Sequence, residues 1–261
     1  MSEHILTIDG VSKSFGGLKA VNGATMHVKR GSVTALIGPN GAGKTTLFNI
    51  ISGFIKPESG SIAFAGREVA GWAPHRVEHL GLVRTFQIAR AFGKLKVLDN
   101  VMLGATAHPG ERLAAAVFTP WVGRRHERRV RVEALELLDR VGLAEKADDY
   151  AATLSGGQKK LLELARALMT RPTMVLLDEP MAGVNPTLGR RLLTDLEDLR
   201  RDHGLTILFV EHDMDVVMGV SDEIIVMSQG AVIIQGTPGD VRADQRVVDA
   251  YLGTDEEEYA L

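Results

Sequence analysis

Apolar positions along this chain switch between two spacings. Short unbroken apolar runs bounded by Gly or Pro stand at "SVTALIG" (Ser32–Gly38), in "TMVLLDEP" (Thr173–Pro180) and at Thr206–Val210. Runs of that length predict buried strands. Elsewhere the interval becomes three and four. After the first run come Leu47, Phe48, Ile50 and Ile51, and further on Val130, Ala134, Leu137, Leu138 and Val141. From Gln158 onward Leu161, Leu164, Ala165, Leu168 and Met169 line one side, with Lys159 and Glu163 on the polar side. Each set predicts an amphipathic helix, and Gly142 suits the C-cap of the second. "SDEIIVMSQGAVIIQGTP" predicts a hairpin turning near Gln229-Gly230. Strands alternating with helices over about residues 1–90 and 165–238, around a mostly helical stretch at 91–164, give an α/β class.

Composition narrows the partners. In 261 residues the formal net charge is -3, which provides no basic footprint for nucleic acid. There is no Cys, so disulfides and cysteine-ligated zinc are excluded. Met1-Ser2-Glu3-His4-Ile5 lacks the basic start and apolar core of a signal peptide. No apolar run approaches the roughly 18 residues needed to span a bilayer, so a membrane role is expected to work through another chain. The basic run Arg124–Arg131 is read as a solvated helix face, and the acidic end "TDEEEYAL" as a frayed tail.

The candidate chemistry begins where the first strand meets the first helix. "GPNGAGKTT" (Gly38–Thr46) fits G-x-x-x-x-G-K-[ST], with Gly38, Gly43, Lys44 and Thr45 in the fixed places and Pro39, Asn40, Gly41, Ala42 and Thr46 between and beside them. Glycines let successive N–H groups curl toward phosphate oxygens, and the helix adds its positive dipole end. The Lys44 ammonium reaches the β- and γ-phosphates, and the Thr45 hydroxyl can ligate Mg²⁺. A nucleotide site also needs a metal carboxylate. "LLDEP" ends an apolar strand in two, and strand ends are where open α/β sheets bind ligands. Asp178 is assigned to the Mg²⁺ shell and Glu179 to the attacking water as general base. A second glycine cluster, Ser155-Gly156-Gly157-Gln158, has capping-box spacing at a helix start, with no bulky side chains over the bare N–H groups.

"LSGGQ" (Leu154–Gln158), lying before "LLDEP" and after the glycine-rich loop, resembles the signature of the ATP-binding subunits of ABC transporters. The resemblance covers nearly the whole chain. It implies a P-loop NTPase (RecA-like) core, an N-terminal antiparallel β subdomain, an inserted helical subdomain and a C-terminal extension at 239–261. It implies ATP and Mg²⁺ as ligands and two protomers assembled head to tail. Leu154, Ser155, Gly156, Gly157 and Gln158 of one chain then face the γ-phosphate held by its partner. Phe15 matches the aromatic that stacks on adenine, where the family more often has Tyr. Gln87 matches the glutamine that contacts Mg²⁺ and the attacking water, and His212 the histidine that bonds the γ-phosphate. In "AGVNP", Asn185 stands where the family commonly has Asp.

"FGGLKAVNG", "AGVNP", "VEHDMDVVMGVSDEIIVMSQG" and "VVDAYLG" together resemble the ATPases of branched-chain amino acid importers, although many of those have Tyr at the place of Gly156. That resemblance implies a peripheral subunit on the cytoplasmic face of the inner or plasma membrane. It would work with permease subunits, a second ATPase (identical or not) and, indirectly, a solute-binding protein. The alternatives are ATPases of urea or short-amide importers, of a lipopolysaccharide exporter, or a soluble regulatory ABC ATPase.

Overall fold

The computed structural model describes residues 3–85, 91–105 and 120–258. Gln87 and residues 106–119 of the 104–131 insertion therefore lie outside the described residues. The chain divides into two compact units, one of Met1–Arg84, Thr173–Glu179 and Leu199–Leu261, the other of Thr85–Pro172 and Pro180–Asp198.

The first unit holds two sheets. β1 (His4–Phe15), β2 (Leu18–Lys29), β4 (Ser59–Phe64) and β5 (Arg67–Glu68) form an antiparallel sheet in the order β2-β1-β4-β5. The second sheet runs β10-β9-β3-β8-β7-β6, from β3 (Val33–Ile37), β6 (Leu82–Arg84), β7 (Met174–Asp178), β8 (Thr206–Val210), β9 (Glu223–Ser228) and β10 (Ala231–Gly236). All its pairings are parallel except that of the edge strand β10 with β9. Every residue of β3, β7 and β8 is buried, as the unbroken apolar runs predicted for strands covered on both faces. Their register is what places the site. Leu36 of β3 pairs with Val210 of β8, which pairs with Asp178 of β7, so three neighbouring strands end level.

The hairpin turns where the sequence predicted. Gln229 and Gly230 have φ of 49° and 82°, the double positive of a type I′ turn. Its backbone also fastens the two sheets, since Asn22 N–H donates to Gly230 O (2.8 Å). The Gln235 amide does the same between β10 and β2, accepting from His27 N–H and donating to His27 O.

The second unit is helical: α3 (Val97–Met102), α4 (Pro120–Arg140), the signature helix α5 (Gly156–Met169) and the first part of α6 (Pro186–His203), with α1 (Lys44–Ile51) and α2 (Pro74–Glu78) belonging to the first unit. The predicted stripe on α4 is buried, Val130, Ala134, Leu137 and Leu138 together with Val141 just beyond its end. Gly142 caps it at φ 69°, with Leu143 N–H donating to Leu138 O and Gly142 N–H to Asp139 O, the two bonds of a Schellman motif. The predicted apolar stripe of α5 is buried as well. Glu163, expected on the polar side, is buried too, because both α3 and α4 pack on this helix and widen its covered arc. Segments 165–172 and 180–198, expected in the core, group with the helical unit, the first because α5 is one continuous rod. In the first unit the chain continues through α7 (Met214–Val220), α8 (Pro238–Ala243) and α9 (Gln245–Glu258). The expected frayed tail is thus helical as far as Glu258.

The two signature glycines differ sharply. Among the described residues a Cβ on Gly156 would meet nothing within 4 Å, whereas one on Gly157 would lie 2.4 Å from the Gly183 carbonyl oxygen. Gly156→Ala is therefore expected to stabilise the chain by about 0.4–1 kcal/mol through the unfolded state. Gly157→Ala should destabilise it by about 1–3 kcal/mol by overpacking. Urea unfolding of the two variants separates them, and equal midpoints would contradict the contact.

Candidate nucleotide and metal site

The loop after β3 is shaped by backbone rather than side chains. A Cβ on Gly38 would sit 2.1 Å from Met227 O, and one on Gly43 2.3 Å from Ala20 O, so neither position admits a side chain. Gly43, at φ 98°, is also the N-cap of α1. Gly230 N–H donates to Ala42 O (3.1 Å), so the hairpin turn that ties the sheets also holds this loop. Gly38, Pro39 and Ala42 are buried, while Asn40, Gly41 and Thr45 are exposed and Thr46 is half-buried. The Lys44 ammonium donates to the carbonyls of Gly38 (2.6 Å) and Pro39 (2.9 Å). Burial pulls its pKa below the ordinary lysine value, and the Glu179 and Asp178 carboxylates oppose that pull.

Asp178 closes β7 as a buried carboxylate. Its Oδ2 accepts from Arg84 Nη2 at 3.0 Å, with 3% and 6% of the two side chains exposed. Glu179 follows at φ 50°, in the left-handed region. The sequence reading separates the two carboxylates by strand alternation. In the structure the left-handed residue contributes to that separation, because it breaks the strand at once. Glu179 N–H still reaches Val210 O (3.0 Å), which keeps it level with β8. There His212 lies with Nε2 3.2 Å from Glu179 Oε1, an exposed ring beside a half-buried carboxylate.

The donors suit Mg²⁺: one buried carboxylate and an exposed hydroxyl at Thr45, all hard oxygens. Among the described residues no group of three His, Cys, Asp or Glu could hold a metal by itself. Mg²⁺ characteristically takes one or two carboxylates and completes its shell with substrate phosphates and water, which such a site leaves room for.

Phe15, at the end of β1, is 49% exposed with Lys13 Nζ 5.6 Å from its ring centroid, so it is not a core side chain. In the helical unit Ser155 caps α5 in a full capping box, accepting from Gln158 N–H while Gln158 Oε1 accepts from Ser155 N–H. Leu154 is buried and anchors the cluster, and Gly156 is open. Gln87 lies outside the described residues.

Sequence reasoning missed two residues. Arg84, in "GLVRTFQ", is a single charge ending an apolar strand, and that oddity was its only signal. Tyr251 of α9, in "VVDAYLG", shares a backbone hydrogen bond with Gly38 of the glycine loop, and burial raises its pKa. Nothing in its local pattern pointed there.

Comparison with known proteins bears on the family and the fold. The ABC transporter family matches residues 21–182, and a model described as the branched-chain amino acid ATP-binding cassette transporter matches residues 231–257. The high-affinity branched-chain amino acid transport ATP-binding protein BraF of Pseudomonas aeruginosa is 42% identical over 253 residues, which is 97% of this chain and 99% of the relative. The ADP conformation of MJ1267, an ATP-binding cassette of an ABC transporter, superposes with a TM-score of 0.79 at 34% identity, covering 97% and 100% of the two chains. The dimeric structure of MJ0796, a bacterial ABC transporter cassette, gives 0.74 at 25% identity, covering 89% and 98%. With its glycine loop, level strand ends and capped signature helix all in place, this chain belongs to the ABC transporter ATP-binding family, in the branch of the branched-chain amino acid cassettes.

Proposed function

We propose that this chain is the ATP-hydrolysing subunit of an importer for branched-chain amino acids, acting on the cytoplasmic face of the membrane through separate permease subunits. The observation that carries the chemistry is the level ending of β3, β8 and β7, which sets Lys44, His212, Asp178 and Glu179 along one sheet edge. With strands about 4.8 Å apart, the outer two ends are separated by roughly 10 Å, room for a triphosphate terminus and its metal. The cargo follows from the relatives' names and from the match to residues 231–257. Among the described residues no helix is long and apolar enough to cross a membrane, in keeping with a permease made of other chains.

In this reading the N–H groups of Gly38–Thr46 and the dipole of α1 bind the β- and γ-phosphates. Lys44 exchanges its two loop carbonyls for phosphate oxygens. Thr45, Asp178 and Gln87 would hold Mg²⁺, which would supply charge neutralisation at those oxygens. Glu179 accepts a proton from the attacking water, and His212, beside it, donates to the γ-phosphate and orients the carboxylate. Phe15 offers its exposed ring to the adenine. The second glycine cluster serves the partner's nucleotide. The opening N–H groups of α5 lack intrahelical partners, and the Ser155–Gln158 box fixes their direction while Gly156 leaves them uncovered. A relative whose structure is dimeric supports the use of a second protomer. The second protomer is a copy of this chain or a related ATPase.

Two outcomes test the assignment. Glu179→Gln should bind ATP and form the nucleotide-held dimer, seen by light scattering, while turnover falls about 10²–10⁴-fold, the usual contribution of a general base. Turnover within a few-fold of the parent would remove Glu179 from that role. Because Glu179 holds a left-handed conformation, Glu179→Gly should unfold at higher urea, by about 1–2 kcal/mol, while losing turnover. A destabilised glycine variant would show that the backbone there is not strained.

A further inference from the structure

The residue that the function does not absorb is Arg84. It is a permanent cation with only 6% of its side chain exposed, and such burial is unfavourable unless the geometry rewards it. Its guanidinium is held on every side the contacts describe. Nη2 donates to Asp178 Oδ2 (3.0 Å), Nη1 donates to Asn49 Oδ1 (2.7 Å) and to Ser52 Oγ (3.2 Å), and Cζ stands 5.7 Å from the centre of the Phe48 ring. Phe48 and Asn49 lie on α1, and Ser52 is its C-cap. One planar fork therefore spans from the helix that begins at Lys44 to the carboxylate at the end of β7. A lysine could not do this, because a point charge on a flexible stem has no second arm in a fixed plane.

We infer that Arg84 is a positioning residue that fixes the orientation of Asp178 for Mg²⁺ by tying its Oδ2 to the nucleotide-binding helix. The inference rests on the reading of Asp178 as the metal carboxylate. With Oδ2 engaged from the Arg84 side, Oδ1 is left for the metal and its water. Asp178 also interacts electrostatically with Lys44. Without Arg84, the carboxylate has that ammonium as its remaining strong attraction. It turns toward Lys44, and the metal ligand is displaced. Arg84 also ends β6 three residues before Gln87 in the sequence.

The test is equilibrium binding of a fluorescent ATP analogue, mant-ATP, to the full chain, titrated with Mg²⁺ and repeated in EDTA, with Arg84→Met, Arg84→Lys and Asp178→Asn. For Arg84→Met the affinity in EDTA should stay within about twofold of the parent. The Mg²⁺ concentration giving half of the metal-dependent gain should rise at least fivefold, with Arg84→Lys between the two. A purely structural Arg84 would lower the unfolding midpoint and leave the Mg²⁺ curve on that of the parent, which overturns the inference. An equal loss in EDTA and in Mg²⁺ overturns it as well, as does tighter Mg²⁺ binding. If Arg84→Met does not fold, Asn49→Ala keeps both charges and removes one anchor. It should move the Mg²⁺ midpoint in the same direction by about twofold, and no movement overturns the proposal. If the parent shows no Mg²⁺-dependent gain, or Asp178→Asn leaves that gain intact, the metal reading itself fails and the inference falls with it.

Discussion

Everything at this site depends on three buried strands keeping one register. Leu36, Val210 and Asp178 stand level because β3, β8 and β7 pair in parallel without a slip. All their residues are buried, so a slip would strand apolar side chains and ladder groups alike. A shift of one residue in β7 would carry Asp178 away from Arg84 and move Glu179 off His212. The chemistry is thus held by hydrophobic burial along the strands that lead up to it.

The glycine loop proposed to receive phosphate is fixed by a second constraint, backbone against backbone. Met227 O lies under Gly38, Ala20 O under Gly43, and Gly230 N–H meets Ala42 O. These contacts come from β9, β2 and the hairpin turn, so the loop draws its shape from both sheets. Such contacts explain why the glycines are steric necessities as well as conformational ones. With the loop held from below, Lys44 can change partners from loop carbonyls to phosphate while the backbone stays in place.

Asp178 and Glu179 illustrate how two adjacent carboxylates come to stand in different surroundings. The first ends a strand and is buried against a guanidinium. The second turns left-handed at once and presents its carboxylate, partly exposed, to His212. Strained backbone of this kind persists only where its surroundings over-determine it. Here the Glu179 N–H bond to Val210 O is part of that determination.

Local order was legible in the sequence because it follows from short-range rules. The apolar runs of β3, β7 and β8, the stripes of α4 and α5, the hairpin turn near Gln229-Gly230, the capping box at Ser155 and the glycines of the loop after β3 each depend on neighbours within a few residues. What the sequence did not reveal depends on residues far apart in the chain. Glu163 is buried because two helices cover α5, and segment 180–198 groups with the helical unit. Gly157 is constrained by Gly183, whereas Gly156 is not, although the two look alike in "LSGGQ". Arg84 reads as a stray charge until it meets Asp178 and Asn49, and Tyr251 as part of a tail until it reaches Gly38. The sequence by itself determined which elements form and which chemistry they carry, since propensity, period and capping are local. Only the tertiary structure decided which groups meet, because burial and long-range hydrogen bonds exist once distant strands and helices have packed.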